Sequence, residues 1–219
     1  SDAASVLIGR QKTLDMRGVN TVLILSSRNL KTRCTISLTV CANGTKLKPM
    51  VIFKGKLNGT IATWELATSK FKEDIALCAH PAAYQDTNNL NQWVDDCLVP
   101  HIQQRAVGAP VVLFLDKFKC HLAADFQRRM EELGVQLKHI PGGCTWCVQP
   151  INVGIGKPFK ERVKEKWWQW MIDLTEEGHD DIPSPKRSLI LSWINDVWKE
   201  LPETICQNSW LKTDLSYYP

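Results

Sequence analysis

Apolar and polar positions predict two strands joined by a tight turn in the first quarter of the chain. Residues 35–40 alternate with the two-residue period of a strand, and residues 47–53 form a second strand-like run. Asn43-Gly44 lies between these runs, and a type I′ turn requires positive φ at both of its central residues. The pattern therefore predicts an antiparallel hairpin over residues 33–54. A shorter apolar run at residues 21–25 predicts a further strand.

The middle of the chain indicates a helix followed by a strand–helix–strand unit. Residues 57–84 lack a clear period, so only short irregular pieces are expected there, whereas helical spacing predicts an amphipathic helix over residues 88–104. The continuous apolar run at residues 111–115 is typical of a strand buried on both faces. A helix over residues 122–133 and a strand over residues 136–140 complete a βαβ unit, which makes 111–115 the expected central strand of a mixed sheet.

The last third of the chain is expected to be mainly helical. A long helix is predicted from about residue 158 to residue 174. An acidic loop follows at residues 176–181, then a helix over residues 188–201 and a short terminal piece at residues 208–215. The apolar stripe of the long helix consists of Phe159, Val163, Trp167 and either Trp170 or Met171.

These elements predict an α/β fold in which a mixed sheet is flanked by helices and followed by a helical C-terminal extension. At about 150 residues per domain, the length predicts one large domain or one domain with a small appendage, and we expect a single domain over residues 1–219. Its core is expected at about residues 1–174, and the acidic loop and C-terminal helix at residues 175–219. No stretch approaches 18 uninterrupted apolar residues, so no membrane-spanning helix and no membrane partner are expected.

The eight cysteines are scattered along the chain, and several lie in apolar runs where a reduced cysteine packs as a small hydrophobe. This distribution favours reduced thiols in a cytosolic or nuclear protein over a disulfide framework. Only Cys144 and Cys147 have metal or redox spacing. For these two residues, the alternative to plain packing is a zinc site shared with His139 and Cys120.

The net charge of +4 conceals an uneven distribution. Residues 10–72 contain twelve lysines and arginines and two acids, a net charge of +10, whereas the remainder of the chain carries −6. A basic third is typical of a protein with a polyanionic partner, although a solvated basic sheet face has the same composition. The candidate nucleic-acid-binding residues on the predicted hairpin are Lys46, Lys48, Lys54 and Lys56.

Asp116 directly follows the predicted central strand. In open α/β sheets, ligands and active sites collect at the carboxyl ends of the strands. The position therefore makes Asp116 a candidate functional carboxylate, with a helix cap or a plain loop carboxylate as the alternative.

The sequence around Asp116 resembles DDE transposases of the pogo/Tigger type. The segment 113–121 has their pattern of an apolar strand, an Asp and, a few residues later, a His, which is His121 here. Residues 140–154 look like the family's Pro-rich loop leading to Gln-Pro-Leu-Asp, which here is Gln149-Pro150-Ile151-Asn152.

Two further segments extend this resemblance. Residues 36–55 are similar to the family's strand–turn–strand segment, and residues 193–209 are similar to its C-terminal helix and the Ser-aromatic pair that follows. The motifs occur in the same order as in the family, and together they span about residues 1–215.

The resemblance implies an RNase H-like fold and a two-metal site built from three acidic residues. Two divalent cations, Mg²⁺ or Mn²⁺, lie about 4 Å apart in such sites and clamp the attacking and leaving oxygens of a phosphodiester displacement. Hard cations of this kind prefer oxygen ligands, chiefly carboxylates.

Residue by residue, the resemblance assigns Asp2, Asp116 and Asn152 as catalytic residues and metal ligands. Thirty-five residues separate Asp116 from Asn152, which is the kind of spacing that such enzymes show. Asp2 stands at the position of the first acid, although Ala3 follows it where the family usually has Gln or Glu. Asp15 is a weaker candidate for the same role.

His121 and Asn152 differ in how well they match the family pattern. His121 matches the family's His, and it has either an accessory role in the site or a structural hydrogen bond. Asn152 departs from the pattern because an amide oxygen can ligate a metal but brings no negative charge. At an effective dielectric of about 20, one missing charge about 3–4 Å from a divalent cation removes several kcal/mol of attraction. Glu161 lies half a turn away on the following predicted helix and cannot simply replace it.

Three classes of function follow from these features. The first is a nuclear, transposase-derived domain that binds the DNA backbone non-specifically and has little or no cleavage activity. The second is an active two-metal DNA endonuclease or strand transferase, and the third is a domesticated protein-interaction module without DNA binding. Asn152 favours the first and third classes, and the basic third of the chain favours the first over the third. The sequence does not distinguish a monomer from a homodimer, and it indicates no particular protein partner.

Overall fold

The structure is a computed structural model that describes residues 4–5, 33–105, 109–179, 182–213 and 215. The predicted strand at residues 21–25, Asp2 and Asp15 lie outside the described residues. The same is true of the last two residues of the predicted acidic loop, 180–181.

The strands form two separate groups. A four-stranded sheet has the order β1-β2-β3-β4, in which β3 and β4 are parallel and the other neighbours are antiparallel. A second, parallel pair consists of β5 and β6. The strands are β1 (Ala4–Ser5), β2 (Cys34–Ser37), β3 (Met50–Lys54), β4 (Ala76–His80), β5 (Val111–Leu115) and β6 (Val135–His139).

Helices account for most of the remaining described residues. The α-helices are α1 (Thr87–Trp93), α2 (Val99–Gln103), α3 (Ala124–Glu132), α4 (Thr145–Val148), α5 (Gly156–Glu176), α6 (Arg187–Glu200) and α7 (Glu203–Leu211). Wider π-helical stretches occur at Ile61–Leu66, Val94–Leu98 and Ile151–Ile155, and a 3₁₀ turn occurs at Lys119–Leu122. None of the helices that the structure describes is long and apolar enough to span a bilayer.

The predicted hairpin is confirmed, but its turn is of another type. Strands β2 and β3 pair antiparallel from Cys34 opposite Phe53 to Ser37 opposite Met50. Gly44 has a φ of +97°, whereas Asn43 does not have positive φ, so the turn is not type I′. Hydrogen bonds from the Gly44 amide to the Cys41 carbonyl and from the Cys41 amide to the Thr45 carbonyl close a three-residue loop instead.

Residues 57–84 contain a strand that the sequence pattern does not reveal. Strand β4 pairs in parallel with β3 over all five of its residues, from Met50 opposite Ala76 to Lys54 opposite His80. The sequence of β4, Ala-Leu-Cys-Ala-His, has no β-branched residue and little alternation. Pairing with a buried neighbour, a tertiary effect, therefore overrides its weak local preference.

The prediction that residues 111–115 form a strand is confirmed, but the prediction of burial on both faces is wrong. Every residue of β5 is at least partly exposed, and Val112 is 42% exposed. Among the described residues β5 pairs with β6 alone, so it is not the centre of one mixed sheet. The α/β class is confirmed, whereas the described strands do not form the single sheet that the resemblance implies.

Alternate residues of β3 point into two different cores. Val51 and Phe53 belong to a larger core that β2, α5 and α6 complete. Met50 and Ile52 belong to a smaller core with α1, α3 and the β5–β6 pair. All four of these side chains have 0% exposure, as the two-residue period of a strand covered on both faces requires.

The C-terminal helices add to the larger core. The predicted stripe of the long helix is confirmed, since Phe159, Val163, Trp167 and Met171 of α5 are buried. The helix predicted over residues 188–201 corresponds to α6, which packs against α5. The short terminal piece predicted at residues 208–215 begins earlier, as α7, and its Cys206 is fully buried.

Candidate nucleic-acid-processing site

Asp116 occupies the first position after β5 and is only 6% exposed. Its Oδ1 atom accepts a hydrogen bond from Nδ1 of His121 at 2.8 Å and one from the Phe118 amide at 3.2 Å. The same imidazole nitrogen lies 3.2 Å from the Asp116 carbonyl oxygen. The 3₁₀ turn at Lys119–Leu122 brings His121 back onto the strand end, so the structural hydrogen bond considered for His121 is present.

Opposing influences act on the pKa of the Asp116 carboxyl. Burial raises this pKa because it disfavours the charged form, whereas the hydrogen bond from His121 lowers it. The net pKa lies below the ordinary value of an aspartate. Asp116 is therefore a carboxylate at neutral pH, as a metal ligand must be.

Asn152 lies in the π-helical stretch that leads from α4 into α5. Its Nδ2 donates to Oε1 of Gln149 at 2.9 Å and lies 3.4 Å from the carbonyl oxygen of Thr145. Its backbone amide donates to the Gln149 carbonyl at 2.9 Å. The side chain is half-buried, and its amide nitrogen faces two acceptors.

A cavity of about 380 Å³ connects the neighbourhoods of Asp116 and Asn152. Asp116 and His121 line it from the β5 side, and residues 149–151 line it from the loop side. Asn152, the next residue along the loop, is not among the lining residues, and its amide nitrogen is directed toward Thr145 and Gln149. The structure therefore brings the two motifs to one cavity, while the convergence of the Asp116 and Asn152 side chains stays a prediction.

Helix α7 holds the loop that carries Asn152. A Cβ atom at Gly154 would lie 2.7 Å from Cβ of Ser209, so only glycine allows this approach of the two backbones. The ring of Trp210 packs edge-on against Phe114 of β5 at 5.7 Å. Helix α7 thus contacts both the loop and the strand that border the cavity.

The described residues supply few charged metal ligands near this cavity. They contain no group of three or more His, Cys, Asp or Glu side chains placed to hold a metal ion, which also leaves the zinc alternative at Cys144 and Cys147 without support. All eight cysteines are free thiols. Glu161 is exposed on α5 and lies 3.9 Å from Lys157, so it belongs to the helix surface.

The donor chemistry at Asp116 and Asn152 suits Mg²⁺ or Mn²⁺, because both side chains carry the oxygen donors that these ions prefer. Only Asp116 carries a negative charge. The first acid assigned from the resemblance, Asp2, lies outside the described residues, so its part in the site stays a prediction.

Lys46, one of the four candidate nucleic-acid-binding lysines, has a structural role instead. Its ammonium donates to the carbonyl oxygens of Trp198 at 2.6 Å, Lys199 at 3.1 Å and Leu201 at 2.6 Å. These carbonyls lie at the C-terminal end of α6, where a positive charge is favourable. All three N–H groups are therefore used within the chain, so Lys46 is not part of the candidate surface.

The other three candidate lysines have different surroundings. Lys54, the last residue of β3, and Lys56, two residues later, are exposed, and Lys48 is half-buried before the strand. Among described residues 33–72, Glu65 is the one acid against seven lysines and arginines. Its carboxylate lies 2.8 Å from the guanidinium of Arg187, so its charge is already paired. Lys54 and Lys56 thus remain candidates for contacts with phosphate.

Comparison with protein families identifies the chain. The family model described as DDE superfamily endonuclease matches residues 31–210. The chain belongs to this family. The match contains the hairpin, Asp116, His121 and the Gln149–Asn152 motif, and endonucleases of this superfamily generally use divalent metals.

Curated relatives confirm the resemblance of this DDE domain to the pogo type. It is 25% identical over 202 residues to "Pogo transposable element with KRAB domain" of Mus musculus, which covers 89% of the chain and 31% of that relative. The Homo sapiens protein of the same name is 24% identical over the same shares. "Pogo transposable element with ZNF domain" of Homo sapiens is 22% identical, over 75% of the chain and 11% of its own length. No solved structure matches the chain significantly.

The DDE domain thus spans about a third of the length of the first two relatives. Sequence reasoning overlooked the roles of two residues near Asn152. Gln149 was noted as part of the motif, but its hydrogen bond to the Asn152 amide, three residues away, was not expected. Gly154 allows the close approach of α7, and its partner Ser209 is distant in the sequence.

Proposed function

We propose that this DDE domain binds DNA through its backbone phosphates and has little or no strand-cleaving activity, because its acidic site is degenerate. The observation that carries the proposal is the amide at Asn152, in a loop that borders the same cavity as Asp116. The RNase H-like arrangement and the nuclear location implied by the resemblance are parts of this proposal.

The surroundings of Asn152 suit an amide better than a carboxylate. Its Nδ2 faces two oxygen acceptors, Oε1 of Gln149 and the carbonyl of Thr145. A carboxylate in the same orientation would face both acceptors without a proton to share, which costs free energy in a half-buried position. The loop as it stands is therefore hydrogen-bonded to an amide, and an Asp at this position would require Gln149 to turn its amide group.

The metal that the family uses would be held here by Asp116 together with the oxygen of Asn152, and by Asp2, which the resemblance assigns as the first acid. When bound, such a cation supplies charge stabilisation to a phosphodiester undergoing displacement. With an amide in place of one carboxylate, the site attracts a divalent cation less strongly by several kcal/mol at an effective dielectric of about 20.

DNA binding rests on the charge of the hairpin side of the molecule. Lys54 and Lys56 are exposed at the carboxyl end of β3, next to a stretch with a large excess of basic residues. Contacts of lysine with phosphate release counterions, so the affinity should be non-specific and should fall steeply with salt. Transposase-like domains generally bind DNA, which agrees with this part of the proposal.

The decisive experiment restores the carboxylate with Asn152→Asp. Calorimetric titration with Mn²⁺ should show tighter binding by the variant than by the parent chain, because the two side chains have nearly the same volume and differ in charge. Gln149 can turn its amide to donate to the new carboxylate, so the loop has a way to accept it. Nicking of supercoiled DNA is measured in parallel.

A matched control adds the same charge elsewhere. Asn58 is exposed in the loop after β3, and Asn58→Asp should leave Mn²⁺ affinity unchanged. Equal affinities for Asn152→Asp, Asn58→Asp and the parent would contradict the assignment of Asn152 as a metal ligand.

One observation favours the active enzyme as a second candidate. Asp116 is intact, buried and oriented by His121, as a working ligand would be. Metal-dependent nicking by the parent chain that disappears in Asp116→Ala would overturn the inactive assignment in favour of this candidate.

A further inference from the structure

Trp146 is the most exposed of the large apolar side chains that the structure describes, with 75% of its surface accessible. It lies in the four-residue helix α4, between the strand β6 and the Asn152 loop. No aromatic ring of the described residues packs against it, in contrast to Trp210 and Trp198, which pair with Phe114 and Phe159. Trp146 therefore contributes little to either core.

Contacts of neighbouring residues place the segment that carries Trp146 beside the candidate site, although Trp146 does not line the cavity itself. On one side of it in the chain, the Ile140 amide donates to the carbonyl of Leu115, the residue before Asp116, at 2.7 Å. On the other side, Gln149 lines the same cavity as Asp116. The side-chain nitrogen Nδ2 of Asn152 also lies 3.4 Å from the carbonyl oxygen of Thr145, the neighbour of Trp146.

The surface next to Trp146 is open. Residues Pro141, Gly142 and Gly143 precede α4 and are exposed, and a Cβ atom at either glycine would meet nothing within 4 Å. A flat ring at the edge of such an open loop is accessible to a ligand that lies across the loop.

The charges next to the carboxyl end of β5 favour a polyanionic ligand. Lys117 and Lys119 are exposed immediately after Asp116. Asp116 itself is buried and hydrogen-bonded to His121, and Asp125 at the start of α3 lies 2.9 Å from Arg128. Lys117 and Lys119 are thus two exposed positive charges beside the strand end.

We infer that Trp146 is a stacking platform for an unpaired DNA base next to the Asp116 site, with Lys117 and Lys119 as contacts for the adjoining phosphates. The inference rests on the proposed DNA-binding function and names the form of DNA that this edge takes. Every base has a flat π face that can stack on an indole, whereas a continuous duplex offers the protein only base edges and backbone. The platform therefore selects single-stranded or frayed ends over blunt duplex.

The test compares a short blunt duplex with the same duplex carrying a three-nucleotide single-stranded end that contains 2-aminopurine. The parent chain should bind the DNA with the single-stranded end more tightly, and stacking should quench the 2-aminopurine fluorescence. Trp146→Ala should weaken binding of that DNA by about fivefold or more, the range for loss of one stacked base. It should also abolish the quenching, while affinity for blunt duplex stays the same.

Three variants distinguish stacking on a flat ring from a general apolar contact and from the effect of any exposed indole. Trp146→Phe keeps a flat ring and should retain most of the preference, whereas Trp146→Leu keeps an apolar side chain and should lose it. Trp64, which is 66% exposed in the π-helical stretch Ile61–Leu66, is the matched control, and Trp64→Ala should bind as the parent does. Because Trp146 is mostly exposed, the melting temperature of its variants should match that of the parent.

The outcomes distinguish the inference from the function on which it rests. If the parent binds both DNAs but Trp146→Ala or Trp146→Leu keeps the preference and the quenching, the platform is wrong and the proposed DNA binding stands. If the parent binds neither DNA at low salt, the proposed DNA binding is wrong, and the inference that Trp146 stacks on a DNA base is wrong as well.

Discussion

The two parallel strand pairs of this domain have the same length and opposite degrees of burial. Strands β3 and β4 pair over five residues each, as do β5 and β6. The first four residues of β3 are completely buried, whereas all five residues of β5 are at least partly exposed. Both pairs end at an edge that carries candidate functional residues, namely Lys54 for the first pair and Asp116 for the second.

The difference in burial indicates different roles for the two pairs. The β3–β4 pair lies between the larger and the smaller core, and both faces of β3 are covered by apolar side chains. The β5–β6 pair contributes mostly half-buried residues. Its main role is to position the segments that follow its carboxyl ends. Those loops contain Asp116, His121, Trp146 and Asn152. The first pair is thus a scaffold, and the second is the support of the candidate site.

The largest expected effect comes from a matched pair of valine truncations. Val51 and Val112 are each the second residue of a five-residue parallel strand, but Val51 is fully buried and Val112 is 42% exposed. Val51→Ala should lower the free energy of unfolding by about 2–3 kcal/mol, since it removes buried methyl groups and leaves a cavity. Val112→Ala should lower it by less than about 1 kcal/mol.

Urea denaturation of both variants measures this difference. Equal losses would show that the half-exposed β5 strand is as important for stability as β3, and the distinction between scaffold and site support would fail.

The next largest effect concerns the contact between helix α7 and the loop that carries Asn152. Gly154→Ala places a Cβ atom against Ser209 of α7, where 2.7 Å is available. Relieving this overlap requires a shift of backbone, and overpacking of this kind costs about 1–3 kcal/mol. We expect the melting temperature to fall and, in the Asn152→Asp background, the gain in Mn²⁺ affinity to shrink, because the loop that carries residue 152 moves.

Gly142→Ala is the control for this prediction, since its added methyl group meets nothing within 4 Å and its φ is not positive. A Gly154→Ala variant that melts with the parent and the Gly142→Ala control would mean that α7 does not clamp the site loop.

The smallest expected effect separates two roles of lysine on one hairpin. Lys46→Met removes three hydrogen bonds to the C-terminal end of α6 and should lower stability by about 1–2 kcal/mol, because carbonyls that lose their donor are left partly unsatisfied. The double variant Lys54→Met, Lys56→Met should leave stability within about 0.5 kcal/mol. It should instead weaken DNA binding and reduce the salt slope by about 0.9 for each lost phosphate contact.

Thermal melting and DNA titration at several salt concentrations check both halves of this prediction. The exposed lysines Lys160 and Lys164 on α5 provide a double variant of equal charge change. If that control loses as much DNA affinity as the Lys54 and Lys56 variant, the candidate surface is not the end of β3 but the general positive charge of the chain.

Much of the local structure follows from the sequence because the signals are local. The hairpin, the βαβ order around Asp116 and the buried stripe of α5 were predictable, since alternation, turn residues and helical spacing each act within a few residues. The motifs from the apolar strand before Asp116 to Gln149–Asn152 also placed the chain in its family, and the family match over residues 31–210 agrees.

Tertiary structure alone decided the features that depend on distant partners. Strand β4 exists because β3 provides a buried neighbour, and Lys46 acts as a helix cap because the end of α6, about 150 residues later, lies over the hairpin. Gly154 is close to Ser209 because helix α7 packs against the loop that carries Asn152. A sequence pattern reports the preference of a segment, whereas the distant partner of a residue is set by packing, and the roles of Lys46 and Gly154 depend on such partners.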